Sequence, residues 1–339
     1  MERLAYRINK AGSIRNLKLI TENLSDPANS EVTIQIKAIG LNFADIFAIQ
    51  GLYSATPKHS FVPGLEFSGI VMKKGTSVKE FEINDKVMGV IRFGAYTNHL
   101  NIHKDYISKI PNGWSFEEGA AFTVQSLTAY YSLLELGNIN NKSTVLIHSA
   151  AGGVGLYANR IAKHFGAYTI GTVGNNNKVA LLKKEGYDKV IVRSKDFADQ
   201  LKEKLDGRNL NIVLECIGGK IFSESFNQLS AGGRIIVYGG AQFSTGGFRP
   251  NYIKILTKYL TRPKIDPLGL SDKNKSVMGF NLIYLWDKIE LLKTYLNNIL
   301  EMNLSKPFIG EVFDFKDLLL AVKKFQSGQT VGKVIVKID

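Results

Sequence analysis

The sequence predicts an α/β protein in which a doubly wound parallel sheet of Rossmann type is joined to a smaller β-barrel-like domain. Two observations carry that prediction. From Thr144 onward short apolar strands alternate with helices, whereas the first third alternates apolar with polar residues at period two. The stretch from Val145 to Gly155 then reads VLIHSAAGGVG, a short apolar strand, a tight loop of small residues and the start of a helix.

In the first third, Val32, Ile34 and Ile36 alternate with Thr33, Gln35 and Lys37, so one face of a strand is apolar and the other polar. Further strands are expected at Ile70–Met72, Lys86–Val90 and Tyr96–Ile102, divided by Gly and Pro turns. Pro111-Asn112-Gly113 opens the change of period, and Phe116–Leu136 reads as helix with a break near Thr123. Strands at Thr144–His148, Tyr168–Val173, Lys189–Val192, Ile212–Cys216 and Arg234–Tyr238 then alternate with helices at Leu156–Phe165, Lys178–Glu185, Phe197–Leu205 and Lys220–Leu229. That spacing implies βαβ units and a sheet buried on both faces. Gly239 to Gly279 reads as an irregular connection rich in Gly, Pro and Lys, of a length usually tied to function. Leu282–Leu300 is a further helix. Phe313–Phe325 and a terminal strand Gly332–Ile338 are expected to rejoin the first domain, because so apolar a chain end needs a sheet. The expected division is 1–122, 123–281 and 282–339, with the outer two segments forming one domain.

The chain has 339 residues, 45% of them hydrophobic and 10% aromatic, enough for two domains with sizeable cores. It has no run of eighteen apolar residues, so no membrane span is expected, and Met1 to Lys10 lacks the apolar centre of a signal peptide. A soluble, cytoplasmic protein is the expectation. The formal charge of +13 does not imply nucleic-acid binding, because the lysines are scattered among acids with no aromatic platform. Attraction to an anionic cofactor, or loosely to a membrane surface, fits the charge better. Cys216 is the only cysteine, which excludes an intrachain disulfide and a multi-thiolate zinc site. It falls at a strand end, as a small apolar residue would. His99 and His103 stand four apart, but in a strand that spacing separates them by roughly 13 Å. No metal is expected.

The loop of small residues carries the chemistry. A phosphate needs backbone N–H donors at the positive end of a helix, with no side chain in the way. Ala150, Gly152 and Gly155 occupy the three small positions of the dinucleotide fingerprint, and Ala151, Gly152, Gly153 and Val154 are the expected phosphate contacts. An NAD site places an acid about twenty residues further on. This chain has no Asp or Glu between Leu136 and Lys184, and its second strand runs into Gly174-Asn175-Asn176-Asn177-Lys178. Amides and a lysine favour a 2′-phosphate, so NADP(H) is the expected cofactor.

Several short motifs, in this order, resemble one superfamily along nearly the whole chain. They are Gly40-Leu41-Asn42-Phe43-Ala44-Asp45, Gln50-Gly51-Leu52-Tyr53, Pro63-Gly64-Leu65-Glu66-Phe67-Ser68-Gly69, Asp85-Lys86-Val87, Leu127-Thr128-Ala129-Tyr130, Ala150 to Gly155, and Gly332-Lys333-Val334. The chain resembles the medium-chain dehydrogenase/reductase superfamily, in its zinc-independent quinone oxidoreductase branch, which includes the vesicle amine transport protein homologues. The resemblance implies a GroES-like catalytic domain built from both chain ends, a Rossmann cofactor domain between them, and a homodimer. It also implies cofactor contacts at Asn42, Thr128, Thr172, Lys178, Cys216, Ile217, Tyr238, Gly239, Phe280 and Lys333. Where zinc-using relatives have a Cys and a His, this chain has Asn42 and Leu65, and Leu cannot ligate a metal. Gly174 stands where many relatives have a phosphate-binding Ser, and Arg193 where many have a Tyr; a guanidinium there can take the phosphate instead.

Without a Lewis acid, hydride is best delivered to an acceptor that is already electron-poor, a quinone or an α,β-unsaturated carbonyl. Tyr53 is the candidate donor to the developing oxyanion, or else a cleft-lining aromatic, and Asn42 offers an amide to the ribose or substrate. Asp45 and Glu66 are expected to hold neighbours in place. Two alternatives stay open. One is an enoyl-thioester reductase whose basic rim would be Lys254, Lys258 and Lys264. The other is an NADPH-binding scaffold or membrane-associated interaction protein with little catalysis.

Overall fold

The computed structural model describes residues 1–339. Its centre is a six-stranded parallel sheet in the spatial order Lys189–Val192, Tyr168–Val173, Thr144–Ile147, Leu210–Glu215, Leu229–Val237 and Ser276–Gly279. That order reverses at Thr144–Ile147, which creates a crevice at the C-terminal strand ends where ligands of such sheets bind. Val145, Leu146, Ile147, Ile170, Val213 and Leu214 are fully buried, because helices cover both faces. The second body is a seven-stranded sheet in which Ile309–Asp314, Lys333–Lys337, Glu31–Gly40, Glu66–Lys74, Lys86–Val90 and Ile107–Lys109 follow one another, with His99–His103 as the seventh strand, pairing Glu31–Gly40. An N-terminal hairpin, Glu2–Ile8 with Leu17–Asn23, closes over its core through Ala5, Tyr6, Ile8 and Leu17. No helix is long and apolar enough to cross a membrane.

Most differences from expectation lie in the last third. The connection after residue 239 is not irregular throughout: it forms helices Tyr252–Leu260 and Pro267–Lys273 and the sixth strand of the parallel sheet. Local signals for both helices exist, since Asn251 caps the first through Lys254 N and Asp266, followed by Pro267, caps the second. The helix Ile289–Glu301, expected beyond a boundary at 282, packs Leu292, Tyr295, Leu296 and Ile299 into the core of the parallel-sheet body. The chain rejoins the second body only from Ile309, through a strand, the helix Leu318–Gln326 and the terminal strand. The expected helix Phe116–Leu136 is three pieces: Phe116–Ala120, started by a Ser115/Glu118 capping box, then Thr123–Tyr130, then a wide π turn Tyr131–Leu136. The expected helix from Lys178 begins one residue later, at Val179, after a tight turn Asn176–Lys178.

Candidate active site

A cleft of about 630 Å³ separates the two bodies, and the fingerprint turn forms one wall of it. Ser149 opens the turn in the left-handed region, with φ of 50°, which turns the chain sharply off the strand. Gly152 then caps the twelve-residue helix Gly153–His164. A methyl group on Gly152 would meet only the Ser149 carbonyl, at 3.3 Å, so this position faces open space and lets a ligand reach the backbone. On Gly155 it would lie 2.6 Å from the Ala150 backbone, the close helix–strand contact expected of the third small position. On Gly153 it would fall 1.2 Å from the Gln125 amide, a packing role the sequence did not disclose. Ala151 and Val154 also face the cleft. The N–H groups and dipole of this helix start can hold a pyrophosphate, so the residues present fit a dinucleotide.

At one end of the cleft stand Gly174, Lys178 and Arg193. Lys178 Nζ donates to Gly328 O at 2.7 Å and Thr330 O at 2.8 Å, which leaves one ammonium proton for a ligand. Burial, and then the charge of Arg193, lowers its pKa from the ordinary lysine value. Arg193 Nη2 lies 3.4 Å from where a side chain on Gly174 would begin, so the guanidinium fills the space that this glycine leaves. Thr172, expected to touch the cofactor, stays out of the cleft: it is fully buried, and its hydroxyl receives Arg193 Nη1 at 2.8 Å.

At the other end Asn42 Oδ1 accepts from Lys333 Nζ at 2.9 Å, and Glu66 Oε2 accepts from the same nitrogen at 2.6 Å. Glu66 Oε1 accepts from Val124 N at 2.8 Å, so this carboxylate also anchors the start of the helix that carries Gln125 and Thr128. Thr128 faces the cleft, although its hydroxyl donates to Val124 O in the preceding turn at 2.6 Å. Tyr53 reaches across the cleft and donates to Asn281 Oδ1 at 2.7 Å; burial pushes its pKa up to about 12, so it stays protonated. Asp45 caps the helix Phe43–Ile49 through Asn42 N at 2.8 Å and lies fully buried outside the cleft.

Cys216, Ile217, Tyr238 and Gly239 line the cleft at the ends of their strands, and Phe280 does so while packing on Tyr131. Burial pushes the Cys216 thiol up to about 11, which keeps it an inert thiol and not a nucleophile. Asn281, Gln125 and Trp286 are among the lining residues that sequence reasoning missed. Trp286 stacks on Tyr106 at 3.9 Å, tying the two bodies together beside the mouth. The lining contains no His, Asp or Glu, so the donor set does not fit a zinc ion. His99 and His103 share a strand outside the cleft.

Comparison with known proteins agrees with this architecture. Residues 28–112 match the alcohol dehydrogenase GroES-like domain, and residues 153–289 match the family described as zinc-binding dehydrogenase. The synaptic vesicle membrane protein VAT-1 homolog of Homo sapiens is 32% identical over 314 residues, covering 91% of this chain and 79% of that protein. Quinone oxidoreductase 1 of Escherichia coli (strain K12) is 35% identical over 272 residues, covering 77% of this chain and 81% of that protein. A crystal structure of Escherichia coli quinone oxidoreductase complexed with NADPH superposes with a TM-score of 0.86 at 29% identity, covering 99% of this chain and 100% of that one. The chain belongs to the medium-chain dehydrogenase/reductase family of oxidoreductases, as a zinc-independent, quinone-oxidoreductase-like member.

Proposed function

We propose that this protein is an NADPH-dependent reductase that delivers hydride to a quinone or an α,β-unsaturated carbonyl. The observation that carries the reading is the chemical gradient along the cleft. Lys178 and Arg193 mark a cationic end with no carboxylate in the lining, and Leu65, Ile91, Phe47 and Trp286 contribute to an apolar wall elsewhere. A 2′-phosphate suits the first and a flat conjugated acceptor suits the second.

Bound NADPH would supply the hydride. The chain's own residues bind, orient and exclude water. The N–H groups of the turn at Gly152–Gly155 hold the pyrophosphate, while Lys178 and Arg193 take the ribose phosphate. Asn42, held by Lys333 at its Oδ1 and by Gly40 O at its Nδ2, lines the nicotinamide end and would exchange one of these bonds for the ligand. Tyr53 keeps its proton and donates to the acceptor oxygen as charge develops there, exchanging Asn281 for substrate. One or two such hydrogen bonds are worth about 2–4 kcal/mol each, which is too little to activate a saturated ketone. Conjugation in the acceptor must supply the rest.

The reading includes a cytoplasmic homodimer. The strand Ser276–Gly279 is paired on one side only, and Ile253, Leu256, Leu260 and Leu268 of the preceding segment are exposed, a surface a second copy would cover. The basic rim that an enoyl thioester would need is weaker than its lysines suggest, because Lys258 donates to the Gln242 carbonyl. The test is NADPH oxidation by the purified chain against quinones, enals, enoyl thioesters and simple ketones, with sedimentation to read the oligomer. Turnover of quinones or enals, with none of ketones, is expected. Faster oxidation of simple alcohols by NADP⁺ would refute the reading, and inactivity toward every acceptor with NADPH binding intact would replace it by a scaffold.

A further inference from the structure

Behind Arg193 a line of buried side chains runs through the parallel-sheet body to the helix Gly219–Gln228. Arg193 Nη1 donates to Thr172 Oγ1 at 2.8 Å, Thr172 Oγ1 lies 2.9 Å from His148 Nδ1, and His148 Nε2 lies 3.0 Å from Ser225 Oγ. Thr172, His148 and Ser225 are all fully buried. The direction of every bond follows from the far end. Ser225 Oγ donates its single proton to Ile221 O at 2.8 Å, so toward His148 it can only accept. His148 therefore carries its ring proton on Nε2 and accepts on Nδ1. The Thr172 proton goes to Nδ1, and the oxygen lone pairs of Thr172 are left facing Arg193.

This line holds a cation without neutralising it. Burial, and then the charge of Arg193, pushes His148 down to about 3, so the ring is neutral at any physiological pH. An Asp or Glu in its place would hold a guanidinium equally well while cancelling the charge that a phosphate needs. Glu215, the carboxylate whose charge Arg193 feels, is itself held by the backbone N–H groups of Ile217 at 2.8 Å and Gly218 at 3.0 Å. The remaining face of Arg193 borders the cleft beside Gly174.

We propose that Thr172 and His148 are positioning residues for cofactor choice: a neutral hydrogen-bonded tether that aims Arg193 at the cofactor's 2′-phosphate with its charge uncancelled. The inference rests on the NADPH reading above. The experiment is calorimetric titration of the full chain with NADPH, NADH and 2′,5′-ADP, for the unmodified protein and for Arg193→Ala, Thr172→Val, Thr172→Ser and the double variant Thr172→Val/Arg193→Ala. Arg193→Ala is expected to lower the NADPH-to-NADH affinity ratio by about tenfold or more. Thr172→Val, which keeps the shape but loses the hydroxyl, should lower the ratio by about threefold to tenfold and weaken 2′,5′-ADP to match. Thr172→Ser should restore it, and the double variant should be no worse than Arg193→Ala.

Equal weakening of NADPH and NADH by Thr172→Val would mean a packing role only and would overturn the proposal. If Arg193→Ala leaves the ratio unchanged, Arg193 is no phosphate contact and the tether falls with it; if Arg193→Ala collapses the ratio while Thr172→Val does not, only the tether falls. An unmodified chain that binds NADH as tightly as NADPH would instead sink the NADPH reading. Nitrogen NMR of His148 in the unmodified protein gives a check that needs no variant. A neutral ring with its proton on Nε2 is required, and a charged ring or the other tautomer overturns the tether.

Discussion

Lys333→Met tests whether the cleft floor is held by charge. Met is nearly as long and wholly apolar, so the change removes the ammonium with little loss of volume. The Lys333 and Glu66 side chains are 3% and 0% exposed, and Nζ lies 2.6 Å from Glu66 Oε2 and 2.9 Å from Asn42 Oδ1. Without the ammonium, the buried Glu66 carboxylate keeps Val124 N at 2.8 Å and a long 3.4 Å contact from Asn42 Nδ2. Removing one partner of such a pair costs about 3–5 kcal/mol, because an uncompensated charge stays in a low-dielectric site. That is a large part of the roughly 5–15 kcal/mol that holds a typical domain together. Neutralising the carboxylate as well removes the penalty, so Lys333→Met/Glu66→Gln should be more stable than Lys333→Met alone. The assay is urea unfolding followed by circular dichroism and by the fluorescence of Trp114 and Trp286. A loss below about 1 kcal/mol for Lys333→Met, within the range of an exposed ion pair, would refute the argument. So would a double variant no better than the single one.

Three further outcomes follow from the same geometry. Burial is the main force pushing Asp45 up to about 7, so the folded chain holds a proton that an unfolded Asp releases near pH 4. That stabilisation, about 4 kcal/mol at most, is fully present below pH 4 and is lost as pH rises through about 7; Asp45→Asn should flatten urea stability between pH 5 and 8, and an unchanged slope contradicts this. Lys178→Ala should weaken NADPH about tenfold to a hundredfold and NADH by much less, the latter only because the turn at Gly328 and Thr330 loosens; equal losses in titration would remove Lys178 from phosphate recognition. Tyr53→Phe should slow an enone more than a quinone, since a quinol anion needs less help from a donor than an enolate does, and equal slowing in steady-state assays would make Tyr53 a cleft-lining aromatic.

Much of the architecture was legible because it rests on local pattern. The strands Tyr168–Val173 and Lys189–Val192 and the helix Phe197–Leu205 match their expected limits, since apolar period and turn residues both mark them. The limits failed where tertiary packing decides. Leu292, Tyr295, Leu296 and Ile299 form an apolar stripe that either body could bury, and nothing local says which one does. Cleft residues were legible as positions but not as bonds. Tyr53 was a visible candidate, while its partner Asn281 lies 228 residues away; Lys333 and Glu66 are 267 residues apart. Thr172 shows the limit most clearly. The resemblance implies a cofactor contact at Thr172, yet alternation along the strand turns it away from the cleft, toward His148.

Several groups assigned to the cofactor or the acceptor, or beside them, also join the two bodies. Lys178 is bonded to the carbonyls of Gly328 and Thr330, Asn175 to Gln329, Ala151 to Gly332, and Tyr53 to Asn281. A substitution at any of these moves domain packing and ligand binding together, so a loss of affinity there does not by itself identify a contact. Arg193 differs. Its tether, through Thr172 and His148 to Ser225, lies wholly within the parallel-sheet body and never crosses the cleft. Changing that tether leaves the joints between the bodies intact. The ratio of NADPH to NADH affinity in Arg193 and Thr172 variants therefore reads recognition of the phosphate without disturbing closure of the cleft, whereas variants of Lys178 or Tyr53 disturb both at once.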